Sequence, residues 1–166
     1  MSFTKDTDVV VIGGGVIGCA VAYYLAKRGA RVTVVEAAGV PFERVLGADV
    51  GTLLAQRYRS HGVDLRLGTT DVPSGDVVVA GIGASPAGGI VGEGAVETDA
   101  CGRTALPGVY ACGDVARWDG RRVEHWTSAA GQARAVAQAI VGDPEPYRAV
   151  PYFWSDQFGL RLQHVG

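Results

Sequence analysis

The chain has 166 residues, 25 of them glycine, with 48% apolar side chains and a net charge of −2 at pH 7. That length suits one domain able to bury one core, and the charge leaves no basic footprint for nucleic acid. No apolar run approaches the twenty residues that cross a bilayer, and no charged-then-apolar stretch with a small-residue cleavage site opens the sequence.

The predicted elements alternate along the chain. Residues 8–12 form a continuous apolar run, which reads as a strand buried on both faces of a parallel sheet. Residues 16–28 carry small and apolar side chains at helical spacing, with Gly29 as the stop. Residues 31–36 give a second β-branched strand. Asp49 is placed to cap a helix running to His61, with Leu53, Leu54 and Tyr58 on one side. Residues 63–67 make a third strand, and Pro73, Ser74 and Gly75 mark a turn. Residues 77–80, all apolar, are read as a fourth buried strand that ends in Gly81, Ile82 and Gly83. A glycine-rich loop with one short strand follows over residues 84–106. Residues 108–111 are predicted as a fifth strand and residues 128–140 as an Ala-rich helix. The composition changes after Pro144 and Pro146. The order predicts a doubly wound α/β domain, a three-layer Rossmann-like fold with a mostly parallel sheet, over residues 1–148. An apolar tail occupies residues 149–166.

The first motif is Gly13-Gly14-Gly15-Val16-Ile17-Gly18, between the first strand and the first helix. Gly13 allows the tight turn, Gly15 lets the backbone approach a pyrophosphate, and Gly18 lets helix and strand pack closely. The phosphates then face the free N–H groups of the helix N-terminus. Glu36, with Ala37 beside it, ends the second strand where an acid accepts from both ribose hydroxyls of an adenosine. An acid there disfavours a 2′-phosphate, so NADP is the poorer ligand. The alternative for Glu36 is an ordinary solvated acid at a strand end. Gly81, Ile82 and Gly83 join the site because ligands of such sheets bind at the carboxyl ends of strands.

The three cysteines, Cys19, Cys101 and Cys112, are odd in number and have no C-x-x-C spacing. That excludes a disulfide framework, a structural zinc site and a dithiol centre, and fits a reduced cytoplasm. Cys19 and Cys112 fall in predicted buried elements and read as small apolar residues.

The second motif is Val109-Tyr110-Ala111-Cys112-Gly113-Asp114. With it the chain resembles FAD-dependent, NADH-using ferredoxin reductases of the putidaredoxin and rubredoxin reductase kind. Residues 41–47 and 62–68 resemble the NAD half of that family, and residues 103–114 resemble its second FAD segment. Val123-Glu124-His125-Trp126 with Ala129, Ala130 and Gln132 resembles the stretch under the flavin. Residues 152–159 resemble the opening of the interface domain. The family carries two glycine fingerprints and a β-hairpin region in its NAD half. This chain has one fingerprint and little sequence between Gly83 and Arg103.

The resemblance implies that Asp114 meets the ribityl and pyrophosphate part of FAD, with Gly113 permitting close approach. It implies that the helix starting near Thr127 turns unpaired N–H groups to the flavin, with Trp126 covering the ring or else lying in the core. Arg44 would reach a phosphate or stand in solvent, and His125 reads as a hydrogen-bonding residue. A minimal FAD-binding flavoprotein is the expected reading, and two alternatives stay open: an NAD(H)-binding domain without flavin, and a non-redox protein on the same scaffold. Tyr152, Phe153, Trp154, Phe158, Leu160, Leu162 and Val165 lack a covering sheet in this reading, so the tail is expected to pair with another copy or else to fold back over its own sheet or stay disordered.

Overall fold

The computed structural model describes residues 7–89, 91–148 and 150–166; the domain boundary drawn at residues 148/149 touches Ala149, which lies outside them. The described chain divides into two compact units, one of residues 7–83 with 155–162 and one of residues 84–89, 91–148 and 150–154 with 163–166.

In the first unit, β-branched runs build strands β1 (Val9–Ile12), β2 (Val32–Glu36), β3 (Val63–Leu67) and β4 (Val77–Ala80). They pair in parallel in the order β3-β2-β1-β4, with Val9 level with both Val32 and Val77. This is the parallel α/β architecture expected from the sequence. Asp8 fixes the amino end of the sheet: its carboxylate accepts from the Arg31 backbone N–H at 2.9 Å and from the guanidinium. Those bonds hold the Asp8 carboxyl below the usual carboxylate range.

Helix α1 (Val16–Ala26) follows β1 and stops where expected: Gly29 takes φ +84° and its N–H donates to the Ala26 carbonyl. Helix α2 (Glu43–Ser60) differs from its prediction. It starts at Glu43 after Phe42 and is interrupted at Gly47, whose φ/ψ of 79° and 172° are not helical. Asp49 therefore lies within this element and does not cap it. Leu54 and Tyr58 point into the core, but Leu53 is exposed. The core joins Val9, Val11, Val34, Cys19, Ala22, Leu54 and Tyr58.

Two further expectations are corrected in this unit. Strand β4 is not buried on both faces: Val77 and Val78 are 53% and 54% exposed, because β4 forms the edge of the sheet. The tail is covered in part, as in the fold-back alternative, with Phe158 buried and Val165 67% exposed. Strands β7 (Tyr152–Gln157) and β8 (Leu160–Val165) pair as a two-stranded sheet around Phe158 and Gly159, whose φ values are 47° and 74°. Two consecutive positive φ values fit the turn that a two-residue hairpin needs. Phe158 is only 4% exposed, with its ring centroid 4.6 Å from Tyr23, 4.7 Å from Tyr58 and 4.5 Å from His61. The Arg57 guanidinium donates twice to the Phe158 carbonyl, at 2.6 and 3.1 Å. Leu160 and Leu162 pack against the same core.

In the second unit, strand β5 (Val96–Thr98) pairs in parallel with β6 (Ala116–Trp118), and helix α3 spans Trp126–Ile140. The predicted fifth strand at residues 108–111 is absent. Only an isolated bridge joins Tyr110 to Arg103, and the Thr104 amide and hydroxyl instead bond the Val109 carbonyl at 3.1 and 3.0 Å. The core here is Ala116, Trp118 and Ala135, packed by Ala111, Cys112, Val136 and Tyr147. Cys112 is half-buried, not enclosed as predicted.

Candidate functional site

Three glycines set the site in the first unit. A Cβ on Gly13 would collide with the Gly81 carbonyl, and one on Gly18 with the Gly13 carbonyl oxygen. A Cβ on Gly81 would stand 3.0 Å from the Gly18 nitrogen. The carboxyl end of β1, the first turn of α1 and the end of β4 thus meet backbone to backbone, which only glycine allows. Gly81 serves this packing, while Ile82 is exposed and a Cβ on Gly83 would meet nothing within 4 Å.

Gly15 differs from its neighbours. It is the N-cap of α1, no side chain caps it, and no acid lies in the first turn. A Cβ there would meet nothing within 4 Å, so the space before the helix N-terminus is open. Val16 and Ile17 are exposed beside it. The open approach and the uncapped amides suit an anion.

Glu36 is half-buried and fully engaged with this turn. Oε2 accepts from the Gly14 N–H at 2.5 Å and Oε1 from the Ala38 N–H at 2.8 Å. The solvated-acid reading of Glu36 is therefore replaced by an anchored one. A carboxylate has about four acceptor directions, so roughly two remain for hydroxyl donors. Ala37 is exposed alongside, and Arg44 is exposed with no partner among the described residues. Phe42, which the sequence did not single out, donates its N–H to the Gly14 carbonyl at 3.1 Å and buries its ring. A hollow of about 370 Å³ bordered by Thr7, Gly29, Arg31 and His61 lies at the amino ends of the strands, away from this site.

The remaining predicted residues belong to the second unit. Gly113 adopts φ +77° at the start of a one-turn 3-10 segment, and its N–H donates to Gln132 Oε1 at 2.7 Å. Gln132 is buried on α3 and had no assigned role. Asp114 is exposed, with its carbonyl accepting from Arg122 Nε at 3.0 Å. The Thr127 amide is not unpaired as expected: it donates to His125 Nδ1 at 3.4 Å, and that nitrogen lies 2.7 Å from the Thr127 hydroxyl. His125 is thus the N-cap of α3, in keeping with a hydrogen-bonding role. Trp126 is not core. It is 66% exposed and meets Trp154 edge-on at 6.1 Å between centroids.

The family models described as pyridine nucleotide-disulphide oxidoreductase match residues 8–73 and residues 71–133. The chain belongs to this family. It is 37% identical to the 5,5′-dehydrodivanillate O-demethylase ferredoxin reductase subunit of a Sphingobium species, over 94% of this chain and 46% of that protein. Among solved structures it matches the ferredoxin reductase for the CYP199A2 system of Rhodopseudomonas palustris, with a TM-score of 0.90 and 30% identity over 96% of this chain and 47% of the other. The reductase chain in the covalent putidaredoxin reductase–putidaredoxin complex matches with a TM-score of 0.87 and 30% identity, over 98% and 47%. The chain spans about half the length of these relatives. The Sphingobium match runs over 190 positions although the chain has 166 residues, so the relative carries residues inside the span that are missing here. The chain is also 37% identical to a ferredoxin–NAD(P)+ reductase of a Sphingomonas species, over 96% of this chain and 47% of that protein. Among the described residues no helix is long and apolar enough to cross a membrane, and no cluster suits a metal ion.

Proposed function

We propose that the first unit binds the adenosine diphosphate part of a dinucleotide at Gly13–Gly18 and Glu36, and that NADH is the ligand it holds best. The observation that carries this reading is the pairing of an uncapped helix N-terminus, open at Gly15, with a Glu36 carboxylate already oriented by Gly14 and Ala38. A pyrophosphate at the amides and a ribose at the remaining carboxylate directions satisfy both. A 2′-phosphate would instead face the Glu36 charge, which disfavours NADPH. NADH is preferred over FAD because residues 41–47 and 62–68 resemble the nicotinamide lobe of the family.

FAD is the second reading, favoured by Gly113 and Asp114 of the family's flavin segment. On either reading the chain is part of a ferredoxin reductase-like oxidoreductase, and its own NADH-dependent electron transfer is weak or absent. Holding donor and acceptor in near-attack geometry needs a place for each of two dinucleotides, and only one glycine fingerprint is present.

The test is a titration with NADH, NADPH and FAD, followed by nicotinamide fluorescence and flavin absorbance. NADH should bind at least about tenfold more tightly than NADPH, a difference of about 1.4 kcal/mol. Gly15→Val should abolish binding by filling the open approach, and Glu36→Ala should erase the preference. A preference for NADPH, or unchanged NADH affinity in Gly15→Val, would refute the placement. Tight retention of FAD with no NADH binding would select the second reading.

A further inference from the structure

The Gly14 carbonyl points inward and is held twice. It accepts the Phe42 N–H at 3.1 Å and the thiol of Cys19 at 3.4 Å from Sγ. A trans peptide is planar, so fixing that carbonyl fixes the Gly15 N–H in the opposite direction. That amide sits at the open N-cap of α1, where a Cβ would meet nothing. Cys19 is fully buried on α1, and burial pushes its thiol up to about 12, so the group stays protonated and keeps its donor.

A second observation falls on the same thiol. The Tyr58 hydroxyl is wholly buried on α2 and has no hydrogen-bond partner among the described residues. It adjoins Cys19 closely enough for the two groups to shift each other's ionisation. A buried hydroxyl without an ordinary acceptor is costly. Its neighbour there is the Cys19 sulfur, a weak acceptor.

We propose that Cys19 is a positioning residue for dinucleotide binding: its thiol, backed by the Tyr58 hydroxyl, holds the Gly14–Gly15 peptide so that the turn's amides face the pyrophosphate. This rests on the dinucleotide reading for its ligand, but the geometry it concerns exists in the ligand-free chain. Cys19 touches no ligand and acts through the peptide alone.

Two readouts test it on the full chain: amide hydrogen exchange of the bonded N–H groups of Gly14 and Phe42 without ligand, and NADH affinity. In Cys19→Ala the exchange should quicken and the affinity fall by about threefold each, the scale of one weak hydrogen bond. Cys19→Ser, which keeps a donor, should restore both to within about twofold of the parent. Should Cys19→Ala fail to fold, Tyr58→Phe gives the same reading. It removes the poorly satisfied hydroxyl without leaving a cavity, so the turn should exchange faster while the melting temperature holds or rises. Exchange at Gly14 and Phe42 that matches the parent in the folded variants overturns the proposal. So does equal loss in Cys19→Ser and Cys19→Ala. A parent chain that binds no dinucleotide sinks the binding reading, and the exchange result alone then decides the role of the thiol.

Discussion

A Cβ on Gly18 would run into the Gly13 carbonyl oxygen, while one on Gly15, three residues earlier, would meet nothing within 4 Å. The two glycines belong to one fingerprint, yet one closes the fold and the other leaves room for a ligand. The contrast predicts separable effects of the same substitution. Gly18→Ala must push α1 away from the turn, and overpacking of that kind costs about 1–3 kcal/mol. Gly15→Ala adds its methyl to open space at φ −85° and ψ −170°, so stability should stay within about 0.5 kcal/mol. Its effect should fall on NADH affinity. Urea unfolding and NADH titration of both variants check this, and a Gly15→Ala variant that unfolds as readily as Gly18→Ala would contradict the division. Glu36 was legible because the acid stands at a fixed distance from the glycines. Phe42 and Cys19 were not, since each acts on the Gly14 carbonyl through contacts that no motif spacing records.

At the scale of elements, Phe158 sets two effects against each other. Its φ of 47° is unfavourable for a residue with a Cβ, at a cost of about 1–2 kcal/mol. Its ring, enclosed by Tyr23, Tyr58 and His61, contributes more: removing a buried Phe ring costs about 3–5 kcal/mol. Burial wins, so Phe158→Asn should destabilise the protein although Asn suits the left-handed turn better. The expected net loss is about 2–3 kcal/mol, read as a lower urea midpoint. An unchanged midpoint would mean that the ring contributes little. Asn-Gly and Asp-Gly pairs are the strongest short-range hairpin signals, and Phe158-Gly159 is neither, so this hairpin passed unread. Strands β1, β2 and β3 were readable because β-branched runs in parallel sheets need little beyond their own composition. Strand β4 has the same composition, but its exposure depends on whether another strand lies beside it. Residues 108–111 fail as a strand for the same reason: the segment has β propensity, but its partner was never encoded locally.

For the whole molecule, the order of the chain matters more than any single site. The first unit is discontinuous: residues 155–162 complete it after the chain has passed through the second. That return changes what the tail is expected to do. An exposed apolar tail would pair with another copy, and deleting it would leave a monomer. Here Phe158, Leu160 and Leu162 already pack into the core that holds Tyr58 and Leu54. Deleting the tail uncovers those side chains, and apolar area left in water costs about 25 cal/mol per Å². The edge strand β4, with Val77 and Val78 exposed, then offers unpaired backbone to the same encounter. A chain ending at Val150 should therefore melt at least about 5 °C lower than the full chain and associate more, not less. Light scattering coupled to size-exclusion chromatography, with a thermal melt of each form, measures both. A shortened chain that stays monomeric with an unchanged melting temperature would show that the hairpin tip contributes nothing to the first unit.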